Sequence, residues 1–426
     1  MKTGRVTFLL TFILTLCLAA SEVLAQDPKG TEIRVNQRTA GSQAFPDVAA
    51  AADGRFVVVW KDGRLVQGST QPVSVVARIF DAAGKPLSGE IQVARIAPGA
   101  LGSPAVAMAP DGRFVVVWGG GKEDPNIVFG RRFAADGRPL GPRFLLAGST
   151  ERAEDSPDVA LAPDGSFVAV WTQETEGDAE VNTDIFFRRF GADGKPLGPE
   201  AVALGGYEEQ SGPRVALKPN GDFVVAGQSY GGESSFYDIV AGLFSRSGAP
   251  LDSFQVNDGP SQEVSQFGPS VAVAADGRFA IAWTDRGADF TKDPHLGHTQ
   301  DFTGIAARFY SADGVALGPG LSTNAFLPGE QLGAEVSALQ TGGFLVLWMS
   351  GAGQDGDEFG IFARVYGANG KARGREFRIN LNRKGSQAAP AISVAPNGKG
   401  AAVWYGPDGD GTGIFARLIG APGQGS

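Results

Sequence analysis

Oxygen donors recur at alternate positions in two glycine-rich stretches of this chain. In GPDGDGTG, Asp408, Asp410 and Thr412 are separated by glycines, and in GQDGDEFG, Asp355 and Asp357 are spaced the same way. Carboxylates alternating on a glycine-flexed loop can wrap a hard cation, so these residues are candidate Ca2+ ligands. The full EF-hand pattern and its terminal glutamate are not there, and Gly-Asp runs also make ordinary solvated turns. A second candidate metal site is DFTKDPHLGHTQDF, which holds the only two histidines, His295 and His298, with Asp293 and Asp301 nearby. Imidazoles three residues apart beside carboxylates suit a transition metal, and the plain alternative is a solvated surface loop.

Aromatic side chains offer a different chemistry. Tyr207, Tyr230, Tyr237 and Tyr405, with Phe236 beside them, fall in segments between strands. Exposed, they could stack a sugar or anchor a protein; folded down, they would cover the rim of a sheet. Paired carboxylates for glycoside cleavage could come from Glu174, Glu176, Asp178, Asp285 and Asp289, although sequence does not fix their separation. A Ser-His-Asp triad would have to recruit His295 or His298, and no GxSxG elbow precedes a helix.

What must position these groups is a repeat. DGRFVVVW occurs at 53–60 and again, unchanged, at 111–118. A glycine followed six residues later by tryptophan occurs at Gly54/Trp60, Gly112/Trp118, Gly165/Trp171, Gly277/Trp283, Gly342/Trp348 and Gly398/Trp404, which accounts for all 6 tryptophans. A further unit, NGDFVVAG, has Gly227 in the tryptophan place. The unit is therefore of the length of one propeller blade. Each unit carries short apolar segments rich in Val, Phe and Ile, separated by Asp-Gly, Asn-Gly or Gly-Lys-Pro turns that favour tight reversals. FVVVW, apolar on both alternating faces, reads as a middle strand sandwiched between neighbouring sheets.

The ends of the chain sharpen the reading. The last unit runs APAISVA, AAVWY, GIFARLI and then GAPGQGS, without a fourth strand, whereas TEIRVNQ at 31–37 resembles the fourth strands DSFQVND and REFRINL. Placing 31–37 beside 413–419 leaves no long open edge. The expected fold is all-β: a seven-bladed β-propeller over 31–419, four antiparallel strands per blade, closed by one N-terminal and three C-terminal strands.

An arginine recurs two residues before the end of each third strand, at Arg78, Arg131, Arg188, Arg308, Arg364 and Arg417, while the fourth unit has Gly242. Because Arg and Trp vanish together in that unit, each guanidinium is expected to lie on or near its own unit's Trp. The segments joining strands two and three vary most in length and hold 19 carboxylates against 5 Lys or Arg. An acidic loop face of this kind attracts cations or basic partners and repels anionic polymers, and such loops are where sites concentrate.

The first residues, MKTGRVTFLLTFILTLCLAASEVLAQ, read as a secretory signal peptide over 1–25, followed by a short linker at 26–30; residues 420–426 read as a flexible tail. Cys17, the only cysteine, lies in that signal segment, so no disulfide or thiolate chemistry is expected beyond it. The acidic balance argues against nucleic acid, and no apolar run reaches the length of a membrane span. The expected protein is an exported monomer, periplasmic or extracellular.

Two stretches within 360–404, GIFARVYGANGKARGREFRIN and PAISVAPNGKGAAVW, resemble repeats of exported bacterial proteins of the β-propeller type, an uncharacterised repeat family, and the resemblance covers nearly all of 31–419. It implies fold and location and carries over no catalytic residue. The chain lacks the GH…WD signature of WD repeats and departs from the sialidase SxDxGxxW box, since Asp and Gly are adjacent here. The functional expectation is an exported, non-catalytic binding scaffold engaging a protein or carbohydrate ligand through the acidic face, with Ca2+ assistance and no other cofactor. The alternative is a carbohydrate-active hydrolase or lyase using carboxylates on that face.

Overall fold

The structure, a computed structural model, describes residues 29–63, 73–96, 103–120, 127–148, 154–176, 181–206, 209–230, 236–257, 265–286 and 303–420. The signal segment 1–25, Tyr207, the histidine loop and the tail 421–426 lie outside them. Among the described residues there is no helix, and the chain is all-β.

After β1 (Lys29–Arg34) the strands come in units. The first is β2 (Gly41–Ala50), β3 (Phe56–Gly63), β4 (Val73–Phe80) and β5 (Ile91–Ile96); the second is β6 (Ala105–Met108), β7 (Phe114–Gly119), β8 (Val128–Phe133) and β9 (Phe144–Leu145). The third is β10 (Glu154–Leu161), β11 (Phe167–Glu176), β12 (Val181–Phe190) and β13 (Ala201–Leu204); the fourth is β14 (Gln210–Leu217), β15 (Phe223–Tyr230), β16 (Tyr237–Phe244) and β17 (Pro250–Gln255). The fifth is β18 (Gln266–Val273), β19 (Phe279–Asp285), β20 (Gly304–Tyr310) and β21 (Leu321–Ser322); the sixth is β22 (Gln331–Ala338), β23 (Phe344–Ser350), β24 (Gly360–Tyr366) and β25 (Ala372–Arg378). The chain ends with β26 (Ala388–Val394), β27 (Gly400–Pro407) and β28 (Gly411–Ile419).

Within each unit, successive strands pair antiparallel in chain order. β1 lies antiparallel to β28, with Ile33 opposite Ala416 and Arg34 opposite Phe415. The first and last units are not separate sheets, because a short parallel bridge sets Gly41 opposite Gly411 and Ser42 opposite Thr412 and joins them into one eight-stranded sheet. The other sheets are four-stranded.

Both faces of the second strands are covered, as their apolar run requires. In β3 every residue from Phe56 to Trp60 has 0% exposure. Val57 and Val59 pack with Phe114, Trp118 and Phe129 of the second unit. Phe56, Val58 and Trp60 pack the other way, with Ala401, Val403 and Ile414 of the last unit. The repeated octapeptide is therefore a layer of core shared between neighbours.

The arginines do not lie on their tryptophans. Arg78 is the cross-strand partner of Val58, two places from Trp60, and its guanidinium sits 5.3 Å from the centroid of the Phe80 ring. Arg131 and Arg308 lie over Phe133 and Tyr310 in the same way. Each arginine also reaches backward, its Nη1 donating to the Val35 carbonyl from Arg78 (2.7 Å), to Val256 from Arg308 (2.8 Å) and to Ile379 from Arg417 (2.7 Å). These are ties between units, charge-assisted and hence stronger than neutral ones. The joint loss of Trp and Arg in the fourth unit has a steric cause. A Cβ on Gly227 would meet Ile185 at 2.3 Å and Leu204 at 3.1 Å, and one on Gly242 would meet Phe244 at 2.8 Å and Leu204 at 3.4 Å. Leu204 occupies the space beside both positions.

Candidate functional site

The first strands share a local irregularity. Six of the seven begin their ladder to the second strand and then slip register, between Ala44 and Asp47, Asp155 and Asp158, Ser211 and Arg214, Phe267 and Ser270, Leu332 and Glu335, and Ala388 and Ala391; β6 runs without a slip. The residue in the slip has left-handed backbone: Phe45 (φ 53°), Ser156 (51°), Gly212 (62°), Gly268 (60°), Gly333 (66°) and Ala389 (45°). Proline follows it at 46, 157, 213, 269 and 390, and Ala334 in the sixth unit. Proline has no N–H to give to the ladder, so a bulge is where a strand tolerates it, and a bulge re-aims the side chain that follows.

The side chains after the slip, with Ala105 in the same register opposite Val117, are Asp47, Ala105, Asp158, Arg214, Ser270, Glu335 and Ala391. All of them line one cavity of about 650 Å3, walled by β2, β6, β10, β14, β18, β22 and β26. Residues far apart in sequence thus meet in one lumen: three carboxyls, one guanidinium and a hydroxyl.

Their hydrogen bonds reach the next first strand. Asp47 Oδ2 accepts from the Val106 amide (2.7 Å) and Oδ1 from its neighbour Val48 (2.7 Å). Asp158 Oδ2 accepts from the Val215 amide (2.8 Å). Ser270 Oγ accepts from Val336 (3.1 Å) and donates to Glu335 Oε2 (2.8 Å). An Arg214 Nη lies 3.7 Å from Glu335 Oε1, the two side chains keeping 40% and 24% of their exposure toward the lumen.

The three carboxyls differ in their environment. Asp47 is pushed up to about 7, by burial first and then by the negative charges of Asp158 and Glu335, against the pull of the Val106 and Val48 amides. Burial also raises Asp158, but the Arg214 charge and the Val215 amide oppose it. Glu335 is raised by burial and held back by Arg214 and by the Ser270 hydroxyl. Burial works against the Arg214 charge, yet Glu335, Asp158 and Asp47 together raise its pKa. The rise of Asp47 is thus opposed by backbone amides, while burial of Glu335 and Asp158 is opposed by the Arg214 charge.

The residues singled out in the sequence fall elsewhere, with one link to the lumen. Tyr405 is half-buried and packs edge-on against Phe45 at 5.9 Å, and Phe45, 40% exposed, lines the cavity. The Lys61 ammonium lies 5.8 Å from the same ring, and burial lowers its pKa to about 8. Tyr230 and Tyr237 are cross-strand partners with ring centroids 5.1 Å apart, half-buried like Phe236, and none of the three lines the cavity.

Asp355 is buried, accepting from Asn380 Nδ2 (3.0 Å) and from the Asp357 amide (3.2 Å). Asp408 pairs with Arg34 and accepts from the Asp410 amide, and Asp357 and Asp410 are exposed. Among the described residues no three His, Cys, Asp or Glu side chains gather as a metal-ligand set. His295, His298, Asp178 and Asp289 lie outside those residues, and the side chain of Glu176 is likewise not described.

Asp355 and Asp408 adjoin a second repeating device that sequence reading missed. Asn36, Asn257, Asn324 and Asn380 each donate to a glutamine at the start of the next unit, Gln43, Gln266, Gln331 and Gln387. Each asparagine also accepts from a third-strand amide, of Ile414, Ile239, Ile305 and Ile361. The signal was a recurrent Asn with Gln seven or nine residues on. The lumen residues had a signal too: FPDV, SPAV, SPDV, GPRV, GPSV, GAEV and APAI align, and their third place carries the chemistry.

No protein-family model matches the chain, and no curated protein matches it in sequence. Solved structures match in fold. A protein of unknown function from Dyadobacter fermentans is similar at TM-score 0.51 and 12% identity, over 92% of this chain and 98% of that one. The α-L-arabinanase of Penicillium chrysogenum, solved with arabinobiose, is similar at TM-score 0.50 and 10% identity, over 92% and 99%. The polysaccharide lyase Uly1 is similar at TM-score 0.51 and 10% identity, over 87% and 90%. The shared fold is the β-propeller. The expectation of a non-catalytic binding scaffold is corrected by these likenesses, because the two of these structures whose activity is stated are carbohydrate-active enzymes. The sequence favoured a scaffold because the separation of its loop carboxylates, Glu174, Glu176, Asp178, Asp285 and Asp289, is not fixed by sequence; among the described residues a carboxyl cluster lies in the lumen. No described helix is long and apolar enough to cross a membrane.

Proposed function

We propose that the chain is an exported carbohydrate-active enzyme that cleaves a glycosidic bond by acid–base chemistry in the lumen. The observation that carries this reading is the unequal environment of three carboxyls in one cavity: Asp47 is raised to about 7, whereas Glu335 faces Arg214 and Ser270. Asp47 is the proton donor to the leaving oxygen, and Glu335 is the ionised partner that activates water or attacks the sugar. Arg214 opposes the rise that burial imposes on Glu335 and so favours its charged form. Phe45 and Tyr405 at the rim offer a ring on which a sugar face can stack.

Glycan ligands are consistent with the stated activities of the arabinanase and the lyase. Hydrolysis is favoured over lyase chemistry, since three carboxyls against one guanidinium repel the uronate a lyase acts upon. The propeller reading extends to seven blades, the last made of β26, β27, β28 and β1. What supports it is that Asn36 after β1 accepts from Ile414 as Asn380 after β25 accepts from Ile361, and that Glu90 caps the amides after β1 as Glu376 caps those after β21.

The test is reducing-sugar release from a panel of neutral plant and bacterial polysaccharides, with unsaturated-uronate absorbance on acidic ones. Cleavage by the wild type that disappears in Asp47→Asn and Glu335→Gln, with folding intact by circular dichroism, is expected. Cleavage unaffected by either change would sink the assignment.

A further inference from the structure

At the opposite end of the same first strands lies a cavity that glycan cleavage leaves unused. It has a volume of about 760 Å3, within the range of roughly 300–1,000 Å3 typical of small-molecule sites. Its rim is formed by tight turns between first and second strands, at Pro163, Pro219, Ala275, Gln340 and Pro396. It extends outward between the third and fourth units along Leu161, Leu197 and Leu217. Val273, Ala338 and Val394 wall both cavities, so this one opens into the lumen.

Its chemistry is the reverse of the lumen's. Arg189, Lys218 and Arg246 line it against a single carboxylate, Asp164. Asp164 is already engaged, held below its ordinary pKa first by the Ser166 hydroxyl and also by the Arg246 charge. Arg189 and Arg246 both line the cavity, and Arg189 Nη1 donates to the Arg246 backbone carbonyl (3.1 Å), which anchors the Arg189 side chain there. Leu197, 55% exposed, stands on the wall between them and the turns. Its exposure is shared by the corresponding residues Leu87, Leu140 and Leu317 of other units; what sets this position apart is that it lines a cavity together with two arginines and a lysine.

We propose that this cavity binds a single-chain anionic amphiphile, an aliphatic chain of medium length ending in a carboxylate, its chain against Leu161, Leu197 and Pro219 and its head between Arg189 and Arg246. Charge complementarity selects the head group, and the apolar wall selects the chain. The proposal is independent of the glycan reading.

Isothermal titration of the full-length protein with decanoate and with decanol tests it. Decanoate is expected to bind one to one and at least tenfold more tightly than decanol. The pair Arg189→Gln/Arg246→Gln is expected to weaken decanoate about tenfold or more, as loss of a charge-assisted contact does. Ala275→Trp, a plug on the exposed rim, is expected to abolish binding without touching the arginines. Asp47→Asn is expected to bind decanoate as the wild type does, so a failure of the catalytic assignment and a failure here are separable. Equal binding of decanoate and decanol, binding indifferent to the plug, or co-sedimentation with phosphatidylglycerol vesicles in place of decanoate binding would overturn the proposal.

Discussion

The two cavities are built on the same first strands and have opposite character. In the lumen, Asp47, Asp158 and Glu335 surround Arg214; at the tight turns, Arg189, Lys218 and Arg246 face Asp164. The lumen owes its charges to the residues that follow the bulges, three of which, Asp47, Asp158 and Ser270, also accept from an amide of the next first strand. The turn-side cavity owes its cations to third-strand ends and turns, where two of them also reach the backbone of the next unit: Lys218 Nζ donates to the Ala312 carbonyl (2.8 Å) and Arg189 Nη1 to the Arg246 carbonyl (3.1 Å). The difference shows how one framework can hold separate chemistries at its two ends: a shared wall of small aliphatic residues keeps them apart while leaving them connected.

The largest expected effect separates the two regions outright. Asp47→Asn should lower glycan cleavage by about 10²–10⁴-fold, the usual weight of a positioned acid, with decanoate binding intact in the same sample. Next, Arg214→Met leaves Asp158 and Glu335 without their cation in a site surrounded by protein. Urea denaturation at pH 8 should give a loss of about 2–4 kcal/mol that shrinks at pH 5, where the carboxyls take up protons; an equal loss at both pH values would mean that Arg214 serves packing alone.

A third expectation concerns pH. The folded pKa of Asp47, about 7, lies above its ordinary value of 3.8. The folded state therefore holds this proton more tightly, and the stability it contributes is present below the ordinary value and lost as pH rises through about 7. Cleavage should fall over the same alkaline limb as the acid loses its proton. Asp47→Asn should flatten the stability profile and gain about 1–2 kcal/mol above pH 8, after allowance for screening by lumen water, measured by denaturant midpoints.

The smallest effects concern where backbone strain is kept. Ala389 takes left-handed φ (45°) on the lumen side, whereas the turn side places glycine at such positions, as at Gly277 (φ 85°). Ala389→Gly should raise stability by about 0.5–1 kcal/mol by relieving that strain. Gly277→Ala should lower it by about 1 kcal/mol, since its Cβ would also stand 3.1 Å from that of Ala312. Thermal melts of both variants give the sign.

How much of this could be read beforehand divides along physical lines. Repetition made the strands legible, because Gly54/Trp60 and its copies mark one turn and one buried strand each time. TEIRVNQ was placed beside the last strand for the same reason, and β1 does pair with β28. Tyr405 came close to the lumen only through Phe45. The carboxyl cluster escaped because Asp47, Asp158, Arg214 and Glu335 occupy corresponding places in a framework strand, where variation between units looks like tolerance. Loops vary most visibly along this sequence, yet the variation that carries chemistry lies inside the most regular part of the repeat. The Arg–Trp inference failed because two residues that disappear together need not touch each other; Leu204 borders both places.

The bulge before each inward side chain has a further consequence. Since the kink sets the direction, the residue that follows faces inward whatever its type. Exchanging Arg214 or Glu335 rewrites the lumen, whereas Asp47, Asp158 and Ser270 also hold an amide of the next first strand and cannot be exchanged without loosening the wall. A chain grown by copying one unit would begin with identical side chains facing each other and could diversify them one place at a time, so that an interior of Asp, Ala, Asp, Arg, Ser, Glu and Ala is a record of independent choices made on an unchanged frame.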